Sequence, residues 1–549
     1  MKLSRAAEAN KGCVLFKDIT YIKNQHFPRR SLCHYQGAFM FRKSAFGLFV
    51  LCLFIISCAR DPHIKTPLEK NDFEELTTYE EVVSFVRELD RRSDFIAIDT
   101  LGYSVEGRMI PYLKISNGEF GQDRRDKLIV LLFAQQHGNE PSGKEAALAL
   151  ARDFAAGKHD DLLEHMDILL VPQVNPDGAE RHERRNTDNV DLNRSHLILN
   201  APETIALRNL FDTWEPYITV DIHEYQPWSR SWLEHGYIKL FDEQYGLVTN
   251  LNIDETIRLF SEKEFLPYVE KDLTEAGYTF HNYLVGSPDR IRYSTTNIND
   301  GRQGFGIYNT FSLILEGKNG RTPTDDIRRR TDAQQLALES LLQFCSDKKA
   351  DISAVVRTAR RNLITGTNNE FVLTMGREKD SSVLSFPALS VVPVNESYEI
   401  GDTVTAEIEH YYPLVVKEMV TTIPGAYLIP ATEDRVIDLF RKHNILFREL
   451  AAGEVFSGEY YIITELSTIE LEETDVIVPE LRKEPAIHVA SEGDVLVPTD
   501  QLRKLLIATA LEPQSMHGLL QYSEFRHLRQ TGRYPIVRVE LPDIAQIFE

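Results

Sequence analysis

The chain has 549 residues, 42% hydrophobic and 10% aromatic, enough for two or three packed units, which excludes global disorder. Its 61 basic and 83 acidic residues give a net charge of −22, spread along the chain without an acidic tail. No nucleic-acid partner is expected, because phosphate binding needs clustered lysine and arginine; the charge reads as a solvated acidic surface.

In chain order, the first signal is Arg42-Lys43, an uncharged apolar run over 44–56, then Ser57-Cys58. Thirteen residues fall short of the roughly 20 that span a bilayer, so the segment 1–57 reads as a signal peptide, with a buried helix as the alternative. Ile55-Ile56-Ser57-Cys58 resembles the lipobox of bacterial lipoproteins. That resemblance implies lipidation of Cys58 and a mature protein held to a membrane by its lipid anchor, in the cell envelope (periplasm or outer membrane). Met40 stands where such a signal normally begins, which makes 1–39 an upstream extension of the gene product. The leader holds nine basic and two acidic residues, so the mature chain carries about −29. It also takes Cys13, Cys33 and Cys52 with it; with Cys58 lipidated, only Cys345 remains and no intrachain disulfide can form. Cys345 follows Leu341-Leu342-Gln343-Phe344 and reads as a small buried hydrophobe.

A lipidated tether is expected over 58–74. Thr78-Tyr79-Glu80-Glu81, followed by Val82, Val83, Phe85, Val86 and Leu89, predicts a capped amphipathic helix. Apolar runs then alternate with helical patterns: strand 128–133, helix 143–154, strand 168–171, helix 202–214, strand 218–222, strand 311–315 and helix 331–344. The expected fold class is α/β, a mostly parallel mixed sheet flanked by helices, over a catalytic unit at 75–350. Beyond it come short strand-like runs punctuated by Pro and Gly, with a helix near 433–443, which predicts a smaller α+β or β-rich C-terminal accessory domain over 355–549.

His137-Gly138-Asn139-Glu140 follows the strand at 128–133, at the carboxyl edge where open α/β sheets build their sites. An HxxE pair with a distant second histidine offers one oxygen and two imidazole nitrogens, a set that suits tetrahedral zinc with one position open. His223, in Asp221-Ile222-His223-Glu224, ends another predicted strand on the same edge. Each alone reads equally as a hydrogen-bonded loop histidine or a surface glutamate; their joint placement favours a metal. Glu316 ends the strand 311–315, where a general base for a metal-activated water is needed; a salt bridge to Lys318 or Arg321 is its structural alternative. Asn175-Pro176-Asp177-Gly178 predicts a turn, and Arg184-Arg185-Asn186 and Asp191-Leu192-Asn193-Arg194 follow. Arginine donors can polarise a carbonyl or grip a carboxylate, though singly such arginines are surface residues.

Together, over about residues 75–345, these motifs closely resemble the zinc carboxypeptidase family typified by the pancreatic enzymes, in a bacterial lipoprotein branch. The resemblance implies one zinc ion per chain on His137, Glu140 and His223, with Glu316 as catalytic base. It implies Arg184 on the scissile carbonyl, Asn193 and Arg194 on the terminal carboxylate, and hydrolysis of the C-terminal bond of a peptide substrate. Tyr293, with Tyr308 as competitor, is the candidate for the family's mobile tyrosine. The loop from Asp300 to Gly306 lies where relatives place their side-chain pocket, so Asp300 or Arg302 is expected to select the charge of the last residue. The chain departs from the pancreatic pattern at Asn139, where those members carry Arg, and at Ser195-His196, where Asn and an aromatic are usual.

Two other functions stay open on sequence. A zinc-dependent N-acyl amino acid deacylase shares HxxE and DLNR-type motifs, but NPDG and the long domain favour a peptidase. A non-catalytic peptide- or glycan-binding surface lipoprotein is disfavoured, because all four metal and base positions are filled.

Overall fold

A computed structural model of the chain describes residues 64–122, 126–366, 369–394, 397–471 and 474–540. The expected leader 1–57, the lipidation site Cys58 and the start of the tether lie outside the described residues. Of the expected tether, residues 64–74 are described. Helix α1 (Pro67–Lys70) is closed by a capping box between Thr66 and Glu69, and Ile64 and Leu68 are buried. These two apolar side chains tie the segment down. Helix α2 (Tyr79–Arg92) begins at the expected Thr78–Glu81 capping box and buries Val82, Phe85, Val86 and Leu89.

The chain then enters an eight-stranded mixed sheet. Strands β1 (Ile96–Tyr103) and β2 (Met109–Ile115) form a hairpin, and β3 (Leu128–Ala134) leads into helix α3 (Ser142–Ala156). Strand β4 (Met166–Val171) is followed by the short helix α4 (Pro176–Glu180) and by α5 (Pro202–Trp214). Next come β5 (Ile218–Tyr225), helix α6 (Arg230–Leu233), β6 (Tyr237–Lys239) and β7 (Glu243–Leu247). Helices α7 (Glu255–Phe260) and α8 (Leu266–Glu275) precede the short strands β8 (Phe280–Asn282), β9 (Leu284–Ser287) and β10 (Arg290–Tyr293). Helix α9 (Gly301–Gly306), β11 (Phe311–Lys318) and α10 (Ile327–Asp347) complete this part.

The strand order is β1-β2-β4-β3-β5-β11-β7-β8. The four central strands, β4, β3, β5 and β11, are mutually parallel, while β2 and β7 run antiparallel to their inner neighbours. All seven residues of the apolar β3 and all six of β4, apolar but for Asp167, are buried, as strands covered on both faces require. Register positions the site: Glu316 on β11 pairs directly with His223 on β5, and Ala134 at the end of β3 pairs with Ile222.

The region beyond 355 is β-rich, as anticipated. It contributes a six-stranded sheet built from residues between 426 and 539, and it shares the core of the first part: Phe371, Tyr427, Leu505 and Tyr534 belong to the same buried cluster as Val130 and Leu313. Strand β6 is hydrogen-bonded to the strand Leu384–Val394, with Lys239 opposite Ala388.

Candidate metal centre and active site

His137 leaves the sheet on the loop after β3, and the NPDG motif fixes that loop. The Asn175 side chain accepts from Gly178 N–H at 2.9 Å, capping α4, and its amide donates to the Gln136 carbonyl at 3.1 Å. The two chain segments then lie so close that a Cβ on Gly138 would stand 2.1 Å from the Gly178 carbonyl carbon. Glycine in HGNE is therefore a requirement of the approach.

Three ligand-type groups converge beyond this loop. His137 Nδ1 lies 2.8 Å from Glu140 Oε1, His223 Nδ1 lies 2.8 Å from Glu140 Oε2, and the two Nδ1 atoms are 3.0 Å apart. All three residues are buried. The outer nitrogens are held by carboxylates: His137 Nε2 by Asp191 Oδ1 at 3.0 Å and His223 Nε2 by Asp221 Oδ1 at 2.6 Å. An Nε2–H that donates outward leaves the Nδ1 lone pair pointing inward, the tautomer a metal ligand needs. Two lone pairs and a carboxylate facing each other without a donor fit a small cation. A tetrahedral zinc site with bonds of ~2.1 Å spaces its ligand atoms at about 3.4 Å, so the three groups, 2.8–3.0 Å apart here, need to part by about half an ångström to hold the ion.

The electrostatics point the same way. Burial works against the charged form of Glu140, yet His137 and His223 hold its carboxyl well below the ordinary range. Burial likewise opposes charge on His223, but Asp221 and Glu140 raise it well above an ordinary histidine, so positive charge is strongly favoured there. Asp191 is desolvated, but its hydrogen bond to His137 and the charges of Arg184 and Arg194 keep it ionised.

Glu316 stands beside this triad. Burial raises its carboxyl to about 7, with Glu140 adding repulsion, while His223 and a hydrogen bond from Tyr283 oppose the shift. A carboxylate poised near neutrality suits proton transfer. Neither Lys318 nor Arg321 is ion-paired to it among the described residues.

His137, Glu140, Glu316, Arg184, Asn193, Arg194, Asp300 and Arg302 line one cavity of about 350 Å³. Arg184 donates from Nε to Asp191 Oδ2 at 3.0 Å and its Nη1 lies 3.4 Å from Glu140. Asn193 accepts from Gly301 N–H at 2.6 Å and its amide nitrogen sits 3.1 Å from His223 Nε2. Arg194 borders both this cavity and a neighbouring one formed partly by Met516, His517 and Tyr522. The unusual His196 is buried behind the site, where it contacts Gln136 Oε1 at 2.8 Å; Gln136 in turn donates to Asp221 at 2.8 Å.

The two tyrosines expected here are elsewhere. The Tyr293 hydroxyl accepts from Leu247 N–H at 3.3 Å on β10's far side, and Tyr308 is buried against Arg208, its ring 4.8 Å from the guanidinium; neither lines the cavity. Tyr283, between β8 and β9, is the tyrosine that faces Glu316. Spacing from Glu316 misled, because the connection through β8, β9 and β10 sets which tyrosine returns to the site. No local motif marks Tyr283. Lys239 and Tyr225, also in the lining, carried no sequence signal, whereas Asp191 and Asp221 sat inside quoted motifs without an assigned role.

A parallel α/β sheet that presents a buried two-histidine, one-carboxylate cluster and a neutral-range glutamate at its carboxyl edge defines the class: a metal-assisted hydrolase. The zinc carboxypeptidase family model matches residues 82–240. That segment is of the zinc carboxypeptidase family, and the chain is a peptidase. Carboxypeptidase 2 of Trichophyton rubrum is 28% identical over 491 residues, covering 84% of this chain and 87% of that protein. Human carboxypeptidase D is 28% identical over 145 residues, covering 23% of this chain and 10% of that protein. A metallo-carboxypeptidase structure from Burkholderia cenocepacia matches 50% of this chain and 71% of its own at 18% identity and a TM-score of 0.38.

Proposed function

We propose that this protein is a zinc metallocarboxypeptidase that removes the C-terminal residue of peptides, with one zinc ion on His137, Glu140 and His223. The observation that carries the reading is the register pairing of Glu316 with His223, which sets a buried carboxylate of raised pKa beside the metal ligands. When bound, zinc supplies a Lewis acid that acidifies water and polarises a carbonyl. The chain's own residues do the rest. Glu316 would take a proton from the attacking water as the C–O bond forms and then pass it to the amine nitrogen, so that the C–N bond breaks with a neutral amine leaving. Arg184, anchored on Asp191, offers its remaining donors to the carbonyl oxygen as charge develops there; one such donor is worth ~10²–10³ in rate. Asn193 and Arg194 receive the terminal carboxylate, and Tyr283 takes the tyrosine role in place of Tyr293 or Tyr308.

The same reading makes the protein a bacterial envelope lipoprotein, lipidated at Cys58. Its support is the order of basic flank, apolar run and Ser57-Cys58. Mass spectrometry of the mature N-terminal peptide tests this: a diacylated Cys58 supports it, and an unmodified chain starting before Cys58 refutes it.

For the activity, zinc-loaded protein is incubated with a peptide mixture and with N-acyl amino acids. One-residue trimming from C-termini supports the peptidase; cleavage of acyl amino acids alone refutes it.

A further inference from the structure

The cavity lining includes two cations that the proposed mechanism leaves unused. Arg302, in α9, is 1% exposed. Its Nη2 donates to Asp300 Oδ2 at 2.9 Å and to Thr295 Oγ1 at 3.0 Å, while Nε and Nη1 have no hydrogen-bond partner. The space beside Nη1 exists because residue 246 is glycine: a Cβ there would stand 2.5 Å from that nitrogen. Lys239, on β6, is 5% exposed and lines the same cavity. Its ammonium donates only to the Leu284 carbonyl, at 3.3 Å, and sits 4.7 Å and 5.2 Å from the rings of Tyr225 and Trp232. No carboxylate pairs with it among the described residues, and burial pushes its pKa down to about 8.

Buried donors left without acceptors destabilise the fold, the more so when charged, unless a ligand satisfies them. Asp300 is hydrogen-bonded to Arg302, and the carboxylate that acts on Lys239, at a distance, is Glu316, which the proposed mechanism commits to proton transfer; the two cations can still take one substrate carboxylate. Leu284, whose carbonyl meets the Lys239 ammonium, and Ile314, which adjoins Gly246 with Arg302, are apolar members of the same lining and suit the methylene stem of such a group. An aliphatic side chain would leave both cations unsatisfied, and a lysine or arginine would bring like charge against Arg302 and Lys239.

We propose that Arg302 and Lys239 form an anion pocket that selects peptides ending in glutamate or aspartate. The inference rests on the carboxypeptidase reading and adds Lys239, from a strand held by the C-terminal region, as a specificity determinant. The test is kcat/KM of the zinc-loaded protein on peptides that differ only in a final Glu, Asp, Gln, Leu or Lys. Charge-assisted hydrogen bonds predict a preference for Glu over Gln of about 10- to 100-fold. Lys239→Met and Arg302→Gln should each shrink that ratio while trimming of the Gln-ended peptide persists. The Lys239 variant keeps a packed apolar stem among the aromatic rings, so it carries the test if Arg302→Gln does not fold. Free glutarate should inhibit competitively and lose potency in both variants. Trimming that favours Leu or Lys, or a Glu/Gln ratio unchanged in the variants, overturns the pocket alone. Absence of one-residue trimming on every peptide overturns the carboxypeptidase reading and the pocket with it.

Discussion

The Nδ1 atoms of His137 and His223 face each other at 3.0 Å, with Glu140 oxygens 2.8 Å from each. Two N–H groups would repel at that separation, so at least one bare nitrogen faces inward, and the carboxylates on both Nε2 atoms favour two. The pair is thus preset for a cation, and Asp191 and Asp221 are what preset it.

Replacing an outer carboxylate should therefore loosen the metal without unfolding the protein. Asp191→Asn is expected to weaken zinc affinity ~10- to 100-fold in competition with a chelator, in line with comparable partners of ligating histidines. Because Asp191 also holds Arg184, turnover should fall further than metal loss explains. Unchanged affinity and rate would mean that the hydrogen bond to His137 does not orient it.

Glu316→Gln separates binding from chemistry. Zinc content should stay at one per chain while kcat drops by ~10²–10⁴. The pH dependence has a definite sign: the base acts only when ionised, so kcat/KM must fall as pH falls through its pKa. Burial places that pKa at about 7 without a metal. A nearby zinc ion favours the ionised form, so the acid limb of the loaded enzyme should lie below 7. An acid limb that survives in Glu316→Gln would assign it to another group.

The metal site leans on a buried ion pair. Arg330 on α10 donates from Nε and Nη2 to Glu224 Oε1, at 2.9 and 2.6 Å; Glu224 N–H donates to Glu140 Oε2 at 3.1 Å. Arg330→Met strands a buried carboxylate, and a loss of ~3–5 kcal/mol in denaturant unfolding is expected. Zinc affinity should fall with it. Adding Glu224→Gln to Arg330→Met should recover part of the stability, since the uncompensated charge is then gone; no recovery would mean the pair acts through packing alone.

Cys345 is fully buried on α10, and burial pushes its thiol far above its ordinary pKa. Peptide mapping after iodoacetamide should find it unmodified in the native protein and alkylated after denaturation. Rapid labelling of the native protein would contradict the packing described for α10.

The central sheet and the metal cluster were legible because each rests on a local pattern. The apolar runs that became β3, β4, β5 and β11 are buried on both faces and stand out in sequence, and the ligands sit immediately at their carboxyl ends. Features that depend on distant pairing were not legible. Lys239 reaches the cavity on a three-residue strand paired with Leu384–Val394, about 150 residues away. Tyr283 returns to Glu316 through short strands whose lengths no periodicity reveals, whereas Tyr293 and Tyr308 do not line the cavity. The burial of Ile64 and Leu68 within the expected tether has no sequence signal either, because two apolar residues in a polar segment form no pattern.

One preparation tests the central claim most directly: metal analysis of the purified mature protein, with mass spectrometry of peptides before and after incubation. The account predicts one zinc per chain and products shorter by a single C-terminal residue, with activity lost on chelation and restored by zinc. A protein free of zinc that still trims peptides, or a zinc-loaded protein that cuts them internally or leaves them intact, would contradict it.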